Sequence, residues 1–117
     1  YRVPCFLATS FDEGVAKEFR TRAAHDSRAT VIWKVTVDPA GEKDPAKRCN
    51  HAHYIPSRNS LCPDEAEYLF APYAAFQIWS VSWAEDSEGK RDFHIIELVA
   101  SSDNRRVPED LPLAPWC

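Results

Sequence analysis

Hydrophobic and polar positions predict a strand followed by a helix at the amino end of the chain. Residues 1–10 are apolar and then small and polar, which is typical of a strand that ends in a cap. Ser10 and Glu13 have the spacing of a capping box, in which a hydroxyl and a carboxylate satisfy backbone N–H groups at a helix start. Apolar residues then recur at every fourth position: Phe11, Val15, Phe19 and Ala23. We expect this helix to end near residues 24–25.

The rest of the chain has the composition and alternation of β-strands. Residues 30–37 form the clearest strand, because β-branched and aromatic residues fill it and Val31, Trp33 and Val35 share one face. Further strands are predicted at residues 51–55, 67–70, 76–83 and 93–99. Residues 101–117 predict an extended tail that packs onto the body. The pattern therefore predicts a strand-dominated α+β domain with one main helix.

Length and composition limit the classes of function. The 117 residues are enough for one domain, and we take residues 1–117 as that domain. Fourteen basic and eighteen acidic residues give a net charge of −4 without a basic stripe, so neither nucleic acid nor a membrane surface is expected as a partner. No apolar run approaches the roughly 20 residues of a transmembrane helix. Methionine is absent and the chain opens on Tyr1, so we expect a piece of a longer protein that lacks its amino-terminal part.

The cysteines and histidines do not predict a metal site. Cys49, His51, His53 and Cys62 are residue types that zinc accepts. In a strand, however, the first three would project to one face and could not wrap a tetrahedral ion. We therefore expect no metal, and a disulfide between Cys49 and Cys62 is favoured over a metal site if the compartment is oxidising. The sequence does not indicate which compartment the protein occupies.

Two glutamates stand at the head of an apolar run. In an extended strand residues i and i+2 point to the same face, so Glu65 and Glu67 are expected to lie side by side. Two half-buried carboxylates lose solvation and repel each other, which is unfavourable for folding alone. The pair is therefore a candidate for chemistry. The alternative is that both are solvated residues closing a loop, and their spacing alone does not separate the two interpretations.

Two stretches in one order carry a resemblance to a known family. FLATSF occupies residues 6–11 ahead of the helix, and EAEYLFAPY occupies residues 65–73, followed by FQI at residues 76–78. Together they resemble the carboxy-terminal half of the arginine-specific mono-ADP-ribosyltransferases, which are defined by an Arg, a Ser-x-Ser strand end and a Glu-x-Glu strand. Glu-x-Glu with the following Pro-x-x-x-Phe is more specific than either pattern alone. The resemblance covers most of residues 6–83.

The resemblance implies a fold, a cofactor and a set of roles. The family has a mixed split-sheet fold that binds NAD, its substrate, in a cleft between two sheets. By the family's pattern Glu67 would be the catalytic glutamate, which stabilises the oxocarbenium-like ribose as nicotinamide leaves. Glu65 would orient and help deprotonate the acceptor guanidinium of a protein arginine. Thr9 and Ser10 match the last two residues of the Ser-Thr-Ser form, and the neighbouring Phe11 could contact the cofactor.

The chemistry of the residues agrees in kind with these roles. Nicotinamide departs neutral, so breaking its N-glycosidic bond needs no general acid but does need an anion near the positive ribose. One carboxylate can provide that anion, and a second can accept a proton from the incoming nucleophile. Residues 56–64 lead directly into the glutamates and, by the resemblance, would form the turn that recognises the substrate.

Two positions depart from the family's pattern. Ala8 stands where the first Ser of Ser-x-Ser is expected, which removes a hydroxyl from the cleft. The family's NAD-binding Arg lies well upstream of the Ser motif, whereas this chain offers only Arg2, too close in sequence to serve. Two other functions therefore remain open beside the transferase: an NAD glycohydrolase, in which water replaces the acceptor, and a catalytically inactive relative that binds a protein.

Overall fold

A computed structural model describes residues 1–23, 30–41, 43–85, 88–89 and 91–114. Within these ranges the chain forms seven strands and one α-helix, in the order β1 (Arg2–Val3), β2 (Leu7–Ser10), α1 (Glu13–Ala23), β3 (Val31–Thr36), β4 (Ala52–Tyr54), β5 (Glu67–Phe70), β6 (Ala74–Glu85) and β7 (Arg91–Ala100). The prediction of a strand-dominated α+β domain with one main helix is confirmed. No helix of the described residues is long and apolar enough to cross a membrane.

The strands form two sheets. The larger sheet has the order β1-β6-β7-β3, in which β6 is antiparallel to both β1 and β7 while β3 is parallel to β7. The smaller sheet has the order β2-β5-β4 and is antiparallel throughout. The chain changes sheet four times: between β1 and β2, between β2 and β3, between β3 and β4, and between β5 and β6. Residues that follow each other in sequence therefore come to stand on two separate sheets.

A proline turn explains the last change of sheet, between β5 and β6. Pro72 was expected to prevent one continuous strand, and β5 does end at Phe70 before β6 begins at Ala74. Tyr73 adopts a left-handed conformation with φ 62°, and its N–H donates to the carbonyl of Val3 in β1. The turn thus directs the chain from the small sheet to the large one.

A small apolar core joins the two sheets. The rings of Phe70 on β5 and Phe76 on β6 meet edge to face with their centroids 5.2 Å apart. Burying one such side chain contributes roughly 1.5–3 kcal/mol to stability. The remaining buried apolar residues of this core are Val3, Ala52, Ala74, Leu98, Ala100 and Ala114.

A buried arginine fixes the tail to the body. Arg2 is on the shortest strand, yet its side chain is buried. Its guanidinium donates to four main-chain carbonyls at 3.0–3.3 Å, those of Tyr73, Asn104, Val107 and Pro108. The backbone of Arg2 also pairs with the tail on both sides, through Pro112 O and Ala114 N–H. The predicted packing of the tail is therefore found, and Arg2 is a structural residue.

Some details of the tail and of the aromatic residues differ from expectation. Leu113 pairs with the backbone of Arg2 but leaves its side chain exposed, and Ala114 is buried instead. Trp116, which was expected to pack, lies outside the described residues. Trp33 does pack against the core, whereas Trp79 sits at a bulge of β6 and is 73% exposed.

The helix begins later than the capping-box pattern predicts. The first helical residue is Glu13, and Asp12 caps the helix by accepting the N–H of Gly14 at 2.7 Å. The capping box is therefore wrong, because the hydroxyl of Ser10 is used elsewhere: it accepts the N–H of Asp12 and donates to the carbonyl of Glu65. The predicted helix end at residues 24–25 lies outside the described residues.

Two of the cysteines are unpaired. Cys49 and Cys62 are both free, so the disulfide that was favoured for an oxidising compartment is not formed between them. Cys5 is disulfide-bonded. In the described residues no group of three or more His, Cys, Asp or Glu side chains could hold a metal ion.

Candidate functional site

A cavity of about 700 Å³ lies where the small sheet, the helix and the edge of the large sheet meet. Its wall is formed by β2, by one side of α1, by the start of β3 and by the two glutamates, Glu65 and Glu67. The lining is mostly apolar with a few polar groups, and its volume is in the range of small-molecule sites. This cavity is therefore the candidate site of the protein.

The strand register brings Ser10 next to Glu67. In the antiparallel pair of β2 and β5, Ser10 lies directly opposite Glu67 and Thr9 lies opposite Tyr68. Side chains of directly opposed residues project to the same face of a sheet, with Cβ atoms roughly 4.5–5.5 Å apart. Ser10 and Glu67 are thus neighbours on one face. The hydroxyl of Thr9 donates to the carbonyl of Tyr68 at 2.9 Å and reinforces the strand pair.

The two glutamates do not share one strand. Residues Pro63–Glu65 form a 3-10 turn, Ala66 adopts a left-handed conformation (φ 44°, ψ 51°), and β5 begins only at Glu67. The expectation that alternation along a strand sets Glu65 beside Glu67 is therefore wrong. Both carboxylates nevertheless line the same cavity, because the turn at Ala66 redirects the chain.

The end of β2 holds this turn in place. The hydroxyl of Ser10 donates to the carbonyl of Glu65, and the N–H of Phe11 donates to the carbonyl of Ala66 at 3.3 Å. A left-handed alanine costs roughly 1–2 kcal/mol relative to its preferred conformations. These two bonds offset that cost locally, so Ser10 positions both glutamates, one by its register and one by its hydroxyl.

Residues 56–64 form an exposed loop beside Glu65. Ser57–Asn59 is a 3-10 turn, and the side chain of Leu61 extends fully into solvent. Cys62 is also exposed, and the Glu65 carboxylate is the main cause that raises the pKa of its thiol, with further effects from desolvation, a hydrogen bond to Glu65 and the charge of Glu67. The loop predicted to recognise the substrate therefore stands next to Glu65.

Phe11 lies outside the cavity wall. Its ring is 69% exposed and meets the ring of Tyr68 edge to face, with centroids 4.9 Å apart. It stands at the outer end of β2, beside the turn that carries Glu65. The structure therefore places Ser10, Thr9, Glu65 and Glu67 around one cavity and leaves Phe11 next to it.

The helix supplies cavity residues that the sequence pattern did not single out. Val15 and Phe19 belong to the predicted apolar stripe and line the cavity, and Phe19 is 53% exposed. Arg20 lines it as well. The apolar stripe could have indicated these cavity residues. The helix follows the Ser motif directly, so its apolar side faces the same cavity that the Ser motif lines.

Two other residues of interest are accounted for elsewhere. Arg2 is not part of the cavity wall, since its guanidinium is committed to main-chain carbonyls. His51 is buried in the body, its Nε2 has no hydrogen-bond partner among the described residues, and burial is the main cause that lowers its pKa. Neither residue has a visible role in the cavity.

Comparisons with known proteins do not assign a family. No family model matches the chain, and neither a curated protein nor a solved structure matches it. The geometry of the cavity therefore carries the functional argument.

Proposed function

We propose that this chain is an NAD-dependent mono-ADP-ribosyltransferase domain that transfers ADP-ribose to a protein, on arginine, and releases nicotinamide. The observation that carries the proposal is the position of Ser10 opposite Glu67, with Glu65 on the wall of the same cavity. We likewise propose the split-sheet fold of that family. A mixed sheet, a separate antiparallel sheet and a cavity lined by both support this assignment.

In the proposed reaction the bond between the ribose C1′ and the nicotinamide nitrogen breaks first. Its electron pair leaves with nicotinamide, which becomes neutral, and positive charge develops on the ribose. The carboxylate of Glu67 stabilises that charge, and no proton donor is needed. Ser10 keeps Glu67 at the cavity through the β2–β5 register.

The acceptor then attacks C1′ and loses a proton. A guanidinium has a pKa above about 12, so it is a poor nucleophile until a base accepts its proton. Glu65 suits this role because its turn lies between the cavity and the exposed loop at residues 56–64, where a protein substrate can approach.

An inactive, protein-binding relative is the second candidate. Two observations favour it: Ala8 lines the cavity without a hydroxyl, and Arg2 is fully engaged in holding the tail. Such a protein would bind its partner tightly and have no affinity for NAD. An NAD glycohydrolase would instead release free ADP-ribose and be insensitive to Glu65→Gln.

The test is nicotinamide release from NAD by the chain, with and without a small guanidine acceptor. Glu67→Gln is expected to abolish release, whereas Glu109→Gln, an equivalent change at an exposed glutamate of the tail, is expected to leave it unchanged. Stimulation by the guanidine that disappears in Glu65→Gln would favour the transferase over the hydrolase. Absence of release would refute the proposal and favour the binding protein.

A further inference from the structure

The cavity carries opposite charges in different parts of its wall. Glu65 and Glu67 contribute carboxylates, and Arg20 is the one cationic side chain among the described lining residues. Arg20 lies two turns beyond the start of α1, which is roughly 10 Å along the helix axis. The helix starts close to Ser10, the neighbour of Glu67, so the cation and the carboxylates are well separated. Such a cavity would orient a ligand that has a negative part and a positive part.

Arg20 is held in a defined position by β7. Its Nη1 lies 2.5 Å from the Oδ2 of Asp92, and its Cζ lies 4.4 Å from the centroid of the Phe93 ring. The side chain is only 27% exposed. Two contacts of different kinds thus fix the plane of the guanidinium at the cavity wall.

The described residues use little of the hydrogen-bonding capacity of this guanidinium. An arginine has five N–H donors, and within the described residues Asp92 is the only acceptor that Arg20 reaches. Its Nε is shielded from solvent and has no partner in the part of the chain that the structure describes. A desolvated cationic donor without an acceptor is costly, and one ion pair does not explain why it is kept at a cavity.

We propose that Arg20 binds a phosphate of the ligand, and that the cavity takes a molecule with a diphosphate group whose sugar end reaches Glu65 and Glu67. The planar fork of a guanidinium matches phosphate oxygens better than an ammonium does. The nucleotide identity of the ligand rests on the proposed function, since NAD is a molecule of this kind. The anion contact itself rests on the geometry of Arg20.

The test is a calorimetric titration with ADP-ribose, which carries the diphosphate but no nicotinamide and so cannot turn over. Arg20→Gln is expected to weaken binding by roughly tenfold or more, as for the loss of a charge-assisted hydrogen bond. Arg22→Gln is the matched control: it removes one charge from the same helix, but its side chain is 71% exposed and pairs with Glu18. We expect the control to bind like the unmodified protein.

A second variant separates a phosphate contact from a structural effect. Asp92→Asn keeps the charge of Arg20 and removes the competing carboxylate, so ADP-ribose should bind at least as tightly. If Asp92→Asn weakens binding as much as Arg20→Gln does, the loss comes from the broken contact between α1 and β7, and the proposal is wrong. Equal binding by Arg20→Gln and the unmodified protein would overturn it as well, and so would absence of binding by the unmodified protein.

These outcomes are distinguishable from failure of the proposed function. Binding of ADP-ribose that depends on Arg20, without any Glu67-dependent release of nicotinamide, would support the phosphate contact and refute the transferase. The opposite result is Glu67-dependent release of nicotinamide with the same KM for NAD in Arg20→Gln and in the unmodified protein. It would support the transferase and refute the phosphate contact.

Discussion

Ser10 touches both candidate glutamates by different means: it lies opposite Glu67 in the β2–β5 pair, and its hydroxyl donates to the main-chain carbonyl of Glu65. Ser10 therefore connects the end of β2, the turn at Ala66 and the start of β5. Replacing Ser10 should lower the reaction rate by displacing the two glutamates, although Ser10 itself does not react.

Ser10→Ala is expected to lower nicotinamide release more than Thr9→Ala does. Both variants lose one hydroxyl that donates to a carbonyl, a change of about 1 kcal/mol in the free energy of unfolding, and Ser10→Ala also removes the acceptor of the Asp12 N–H. Only Ser10, however, holds the turn that carries Glu65. Release rates and thermal unfolding measured on the two variants check this, and equal rates at equal stability would contradict it.

The thiol of Cys62 reports on the charge of Glu65. Because the Glu65 carboxylate is the first cause that raises the thiol pKa, Glu65→Gln should lower that pKa and speed alkylation of Cys62 by iodoacetamide near neutral pH. The measurement is the pH dependence of alkylation, followed by mass spectrometry of the Cys62 peptide.

Cys49 provides an internal control for the alkylation measurement. Burial is the main cause that raises its pKa, and Glu65 does not contribute to it. Its profile should stay the same in Glu65→Gln. A Cys62 profile that also stays the same would show that the thiol is not adjacent to the carboxylate.

Replacing Arg2 should destabilise the fold strongly. Arg2→Met keeps much of the volume but leaves four main-chain carbonyls without their donor, and we expect the free energy of unfolding to fall by about 3 kcal/mol. Arg58→Met is the control, since Arg58 is exposed. Denaturant unfolding of both variants checks the prediction; similar midpoints would mean that the carbonyls are equally well satisfied by water.

Stability should fall on mild acidification because of His51. Burial lowers its pKa in the folded protein, so the neutral form is favoured by folding. Above the pKa of an unfolded histidine, about 6.5, His51 is neutral in both states and the free energy of unfolding does not depend on its protonation. As pH falls below that value, the unfolded state gains a proton first and the free energy of unfolding decreases. The decrease stops below the folded-state pKa, where His51 is protonated in both states. His51→Leu should flatten this part of the profile of unfolding free energy, whereas His53→Leu, at an exposed position, should keep it. A slope that survives in His51→Leu would assign it to another group.

Local patterns predicted the bounds of an element well where a single residue type determines where that element ends. Glu67–Phe70 has the predicted bounds because Pro72 follows an apolar run, and a proline excludes a continuous ladder whatever the tertiary context. The chain's one main helix was likewise found from its period. The residue that caps the helix was not predicted correctly, because the hydroxyl of Ser10 bonds to the carbonyl of Glu65, which is distant in sequence.

The pattern found four residues of the candidate cavity, Thr9, Ser10, Glu65 and Glu67, but not its geometry, and it missed Arg20. Ser10, Glu65 and Glu67 do line one cavity, as their patterns suggested. The left-handed conformation of Ala66 has no sequence signal, since alanine ordinarily avoids it, and the side of the helix that carries Arg20 depends on where β7 lies. Both features follow from contacts between segments that are distant in sequence, and the periodicity of one segment gives no information about such contacts.

The two charged ends of the cavity wall depend on different segments of the chain. The glutamate side is built from β2 and β5, which are complete by residue 70. Among the described strands β3 pairs with β7 alone, and Arg20 is held by Asp92 and Phe93 of β7. During synthesis the carboxylates can therefore be in place before the cation is. In the finished protein, a ligand that touched both would add a second link between the small sheet and the β3–β7 edge of the large sheet, beside the apolar core, and it would slow hydrogen exchange in both of them at once.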